Sequence, residues 1–124
     1  MARTDTPHIL LVDDDEQVIR FVKTALERNG YRVTTTTSGK EALGLIWQHV
    51  PDLLILDLNM PEPDGFELLK AERASFPYLR ILVISGYLHG ALLKAAKLLG
   101  AHATLQKPFT TEALMVQVRA VLDR

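Results

Sequence analysis

The chain has no cysteine among its 124 residues. Disulfides, thiolate metal ligands and thiol nucleophiles are therefore excluded, and the absence accords with a reducing compartment. Neither sign of charge dominates: 14 Lys and Arg stand against 15 Asp and Glu, a net charge of −1. The basic residues are scattered, so the stripe that marks a nucleic-acid binder is missing and no direct nucleic-acid binding is expected. No apolar run approaches the ~20 residues that a membrane-spanning helix needs. Met1 to Pro7 lacks the apolar core of a secretory signal. A soluble cytoplasmic protein with no membrane association is the expectation. Repeats, low-complexity tracts and long Pro/Gly/Ser linkers are also lacking, so residues 1–124 are read as a single domain with 1–7 as a flexible lead.

What the chain does have is acid at the ends of apolar runs. Asp13-Asp14-Asp15-Glu16 follows Ile9-Leu10-Leu11-Val12 directly, and a second run, Leu53-Leu54-Ile55-Leu56, ends on Asp57. Two carboxylates about 5 Å apart repel by roughly 3 kcal/mol at an effective dielectric near 20. Three acids meeting at one sheet edge would need a cation, and an all-oxygen donor set suits Mg²⁺ or Mn²⁺.

Hydrophobic period orders the remaining elements. Val18, Val22, Ala25 and Leu26 recur at helical spacing up to Asn29-Gly30, and Tyr31 to Thr36 is aromatic and β-branched, as in a strand. Ser38 with Glu41 reads as a capping box for a helix ending near Val50-Pro51. After the strand Leu53 to Leu56 comes a loop, Asn59 to Pro63, and a helix opened by Asp64 and ended by Pro77. Ile81 to Ile84 is an apolar strand, Leu88 to Leu99 a helix stopped by Gly100, and Ala103 to Gln106 a short strand. Thr110 or Thr111 caps a last helix reaching Leu122. Five βα alternations with continuously apolar strands indicate an α/β protein with a parallel sheet covered on both faces. Ligands bind beyond the carboxyl ends of such strands. Asp13, Asp14, Asp57, Ser85 and Lys107 all follow a strand at that end.

These residues suit phosphoryl chemistry. Asp13, Asp14 and Asp57 can hold one Mg²⁺, with the backbone carbonyl of Asn59 turned toward it. Lys107 and Ser85 can donate to phosphoryl oxygens, and Gly86 leaves open space. A carboxylate so placed is equipped for covalent catalysis through an aspartyl phosphate.

At this point the chain resembles the receiver domains of two-component response regulators. The resembling residues are Val12-Asp13-Asp14, Asp57 with Met60-Pro61 and Asp64-Gly65, Ile84-Ser85-Gly86, and Lys107-Pro108-Phe109. They span almost the whole chain in the family's order. The resemblance implies a flavodoxin-like doubly wound (βα)5 fold with strand order 2-1-3-4-5. It implies that Asp57 accepts a phosphoryl group from a sensor histidine kinase or a histidine phosphotransfer protein, with Asp13, Asp14, Asp57 and Asn59 about the metal. Ser85 and Lys107 would bind the phosphoryl oxygens, and Lys107-Pro108 would be a cis peptide. Such a domain is no ordinary enzyme, yet it promotes its own phosphorylation and dephosphorylation. One position departs: receivers often carry Tyr or Phe where this chain has Thr104, with Tyr87 as a partial substitute.

Four other functions compete with this one. An Asp-nucleophile Mg²⁺ phosphatase wants an acid at Asn59 and a cap domain. A flavodoxin wants a phosphate-cradling loop where three aspartates stand, and a Rossmann enzyme wants a Gly-x-Gly-x-x-Gly that follows no strand here. A receiver-shaped interaction module that works without phosphorylation stays open. The blander readings also have a place: Asp15 and Glu16 cap and charge the first helix, Trp47 packs, and His8, His49, His89 and His102, lacking ligand spacing, are structural or surface. On the last two helices Leu88, Leu92, Ala95 and Leu99, and Leu114, Val118 and Val121, are expected to face inward. Leu93, Met115 and Val116 are then candidates for contact with a second copy or a downstream protein, and Ile19, near Pro108, for docking of the phosphodonor. No output domain is expected within these residues.

Overall fold

A computed structural model of the chain describes residues 6–59, 65–86, 90–98 and 100–123, with 65–66 and 90–93 described through the backbone alone. The strands are β1 His8–Val12, β2 Arg32–Thr36, β3 Leu53–Asp57, β4 Ile81–Ser85 and β5 Ala103–Gln106. The helices are α1 Glu16–Arg28, α2 Gly39–Gln48, α3 Gly65–Ser75, α4 Gly90–Leu98 and α5 Thr111–Leu122. All strand pairs are parallel, and the sheet order is β2-β1-β3-β4-β5, as expected.

The sheet sorts its apolar residues by parity. Ile9, Leu11, Leu53, Ile55, Leu82 and Ile84 face one layer, with Val22 and Leu26 of α1 and Leu114 and Val118 of α5. Leu10, Val12, Leu54, Leu56, Ile81 and Val83 face the other, with Ala42, Ile46, Leu68, Leu69 and Ala96. A slip of one residue would exchange the two sets, so two covered faces fix the register. Every residue of β3 and β4 is buried, whereas β2, rich in threonine, lies at an edge and is mostly half-buried or exposed.

Side-chain caps set where the helices begin. Asp15 Oδ1 accepts from Gln17 N at 2.8 Å, Ser38 Oγ from Glu41 N at 3.1 Å, and Thr110 Oγ1 from Ala113 N at 3.0 Å. The capping box at Ser38 is only half formed, because the Ser38 N–H donates to Thr36 Oγ1 at 3.0 Å. Gly30 and Gly100 follow α1 and α4 with φ of 90° and 104°, a region that glycine enters without steric cost.

Several surface assignments need correction. Met115 is only 4% exposed and belongs to the core, since it shares a stripe with Leu114, Val118 and Val121. On α4 the residue packed inward is Ala96, not Ala95, because the helix is rotated by about one position relative to the apolar pattern. Ile19 is buried at the α1–sheet contact, so the exposed apolar residue of α1 beside Phe109 is Phe21, with ring centres 6.0 Å apart. Trp47 does pack, at 4.8 Å on Phe76, but 67% of it stays exposed. Val116 points outward as expected. The assignments made for Met60 to Asp64, Tyr87 to His89, Leu99 and the side chains of Leu92 and Leu93, and for most of the flexible lead, lie outside the described residues.

Candidate functional site

Strand register assembles the site. Val12 pairs with Leu56, Asp57 with Ile84, and Ser85 with Gln106. The carboxyl ends of β1, β3, β4 and β5 therefore advance almost together, and the residue at or just past each end projects over one edge. Backbone bonds carry the ladder past the strands: Asp13 N to Thr36 O (3.2 Å), Leu58 N to Ile84 O (3.0 Å) and Lys107 N to Ser85 O (2.7 Å).

Asp13, Asp14 and Asp57 meet at that edge, each offering an oxygen within 4.8 Å of the other two. Asp13 and Asp57 are buried and Asp14 is exposed. Lys107 Nζ lies 2.9 Å from Asp13 Oδ2 and 3.4 Å from Asp57 Oδ2. The remaining oxygens are also engaged: Asp13 Oδ1 accepts from Asp15 N at 2.9 Å and Asp57 Oδ1 from Asn59 N at 2.9 Å. Three carboxylates against one ammonium leave an excess of negative charge that a single divalent cation would balance. The donor set is carboxylate oxygen throughout and fits Mg²⁺.

Burial pushes the Asp57 carboxyl up to about 6. The Asn59 N–H and Lys107 act against that shift, and Asp13 adds to it. Burial pulls the Lys107 ammonium down, but its bond to Asp13 and the two carboxylate charges outweigh this and hold it above its ordinary value. The two upward shifts have different main causes, burial for Asp57 and the neighbouring carboxylates for Lys107, with Asp13 adding to both.

Of the residues singled out from sequence, Asp13, Asp14, Asp57, Asn59, Ser85 and Lys107 all converge here. One contact was missed. The Asn59 side chain accepts from Ser85 Oγ and from Gly86 N, both at 2.9 Å, and so joins the loop after β3 to the end of β4. Its signal in the sequence was an amide two residues past Asp57, short enough to reach the next strand. Lys107-Pro108 is cis. Thr104 sits mid-strand opposite Val83, so the usual aromatic side chain is replaced by a small hydroxyl.

Comparison with known proteins agrees with this geometry. A family model described as the response regulator receiver domain matches residues 9–119. Response regulator SaeR of Staphylococcus aureus is 34% identical over 120 residues, which cover 94% of this chain and 51% of the relative. The chain thus spans about half the length of the curated relatives it matches. A putative response regulator from Chloroflexus aurantiacus superposes with a TM-score of 0.92 at 34% identity, covering 97% of this chain and 100% of that one. The chemotaxis protein CheY4 of Vibrio cholerae gives 0.88 at 32% identity, covering 94% and 98%. With the order of its strands, the acids at their ends and a family match across nearly its full length, the chain belongs to the response regulator receiver domain family.

Proposed function

We propose that this receiver is a phosphoacceptor in a two-component phosphorelay, with Asp57 as the residue modified. The observation that carries the reading is the placement of Asp57: almost wholly buried, 3.4 Å from an ammonium, and one of three carboxylates converging within 4.8 Å. A carboxylate oxygen of Asp57 attacks the phosphorus of a phosphohistidine on a sensor kinase or phosphotransfer protein. The phosphorus–nitrogen bond breaks, its electron pair returns to the donor imidazole, and an acyl phosphate forms on Asp57. Lys107 neutralises charge on the transferring oxygens, and the Ser85 hydroxyl is a further donor to them once released from Asn59. Asp13, Asp14, Asp57 and the Asn59 carbonyl would hold Mg²⁺ or Mn²⁺, which supplies charge stabilisation on the phosphoryl oxygens. Hydrolysis of the acyl phosphate at the same site returns the free acid. Exposed Val116 on α5 and Leu98 at the end of α4 belong to the face through which partner contacts would change.

Incubation with acetyl phosphate and Mg²⁺ followed by intact mass measurement tests this. One phosphoryl adduct is expected on the unaltered protein, with none after chelation and none in Asp57→Asn. An unaltered protein that gains no adduct would leave a receiver-shaped interaction module as the function.

A further inference from the structure

Two histidines distant in sequence come together at the opposite edge of the sheet. His8 opens β1 and His49 closes α2, and their ring centres are 5.2 Å apart, tilted by 54°. Both line a cavity of about 90 Å³ with Thr34, Gln48, Leu10 and Leu45. His8 Nε2 lies 2.7 Å from Thr34 Oγ1, while Nδ1 is buried without a hydrogen-bond partner. In the tautomer whose Nε2–H donates to Thr34, that orphaned Nδ1 carries a bare lone pair.

We propose that His8 and His49 form a site for one borderline divalent ion of the Zn²⁺ class, separate from the acid pocket. Three observations lead there. Imidazole is the protein ligand that suits such ions, and a ligating ring commonly keeps its second nitrogen in a hydrogen bond, as Thr34 provides. With Zn–N near ~2.0–2.1 Å and a tetrahedral angle, two imidazoles on one ion have their centres roughly 5 Å apart. The cavity has room for an ion and water, and His49 is exposed, so an entry path exists. Gln48 and water would complete the coordination. The bound ion would tie the start of β1 to the end of α2.

The test is a titration of the full chain with Zn²⁺ by calorimetry in excess Mg²⁺, with Co²⁺ absorption as a second readout. Tetrahedral nitrogen-ligated Co²⁺ absorbs far more strongly in the visible than octahedral Co²⁺ on carboxylates. The expected result is one Zn²⁺ per chain and an intense Co²⁺ band. Affinity should fall at least tenfold in His49→Ala, whose exposed site leaves the fold intact, and persist in Asp57→Asn. Equal Zn²⁺ affinity in His49→Ala, or binding that disappears with Asp57→Asn, overturns the site. Neither readout involves phosphorylation, so failure here leaves the phosphoacceptor reading untouched.

Discussion

Three carboxylates among the described residues are almost completely withdrawn from water, Asp13 and Glu72 at 0% exposure and Asp57 at 1%, and the surroundings of Asp57 and Glu72 are opposite. Asp57 accepts from the Asn59 N–H and faces Lys107. Glu72, midway along α3, has no hydrogen-bond partner for either oxygen. Its neighbour Arg73 points its guanidinium elsewhere, donating to Phe76 O (3.2 Å), Pro77 O (2.7 Å) and Gly100 O (2.7 Å). Burial raises both acids, Asp57 to about 6 and Glu72 to about 8, where Arg73 opposes the shift only in part. At neutral pH Asp57 is mostly ionised and Glu72 mostly protonated. A buried acid keeps its charge when donors come with it, and becomes a neutral, costly core residue when they do not.

The comparison breaks first at Lys107. If its ammonium keeps Asp57 functional, Lys107→Met should slow phosphorylation by acetyl phosphate by about 10²–10³-fold, the usual loss when one charge-stabilising donor is removed. A quench-flow or fluorescence time course measures it. A change of only a few-fold would mean that Asp57 does not depend on this partner, and the contrast with Glu72 would lose its cause.

Glu72 gives the next largest effect. Its folded-state value lies above its ordinary 4.5, so the folded protein binds the extra proton. The stabilising contribution is complete below about 4.5 and is lost progressively as pH rises through about 8. Glu72→Leu removes that dependence and should gain roughly 3 kcal/mol at pH 7. Urea unfolding of both proteins from pH 5 to pH 9 is the measurement. Parallel curves would show that Glu72 finds a partner or solvent in solution.

The acid-lined edge of the sheet is readable in the sequence and Glu72 is not, and the reason is periodicity. Strands buried on both faces announce themselves as unbroken apolar runs, and the acids of interest sit where those runs stop. Position therefore revealed Asp13, Asp57, Ser85 and Lys107 before any coordinates. Helix faces are harder. Glu72 is charged, so a pattern of apolar positions sends it to solvent, yet it lies on the stripe with Leu68 and Leu69 that packs on the sheet. Met115 and Ala95 were misplaced similarly, because rotation of a helix by one residue exchanges a core position for a flanking one. The meeting of His8 with His49 depends on where α2 ends against β1, which no local spacing encodes.

Divalent cation separates the two acids in another way. Mg²⁺ at about 100 times its dissociation constant should stabilise the folded protein by about 2.7 kcal/mol through mass action. The gain should disappear in Asp57→Asn and persist unchanged in Glu72→Leu. Thermal unfolding with and without Mg²⁺ decides it. Stabilisation that survives in Asp57→Asn would place the ion elsewhere.

The smallest effect tests whether Arg73 is a counter-ion in disguise. Arg73→Met removes three bonds to carbonyls and should cost about 1–2 kcal/mol, since the freed carbonyls are partly reached by water. Because its donors are committed to Phe76, Pro77 and Gly100, the cost should be the same in the Glu72→Leu background, within about 0.5 kcal/mol. The crowding at Gly100 supports that commitment: a Cβ there would stand 2.6 Å from Arg73 Nε, so the arm is seated against this turn. A double-mutant cycle by urea unfolding at pH 9, where Glu72 is largely ionised, gives the coupling. A coupling above about 1 kcal/mol would make Arg73 the partner of Glu72 after all, and the two buried acids would then differ in degree rather than in kind.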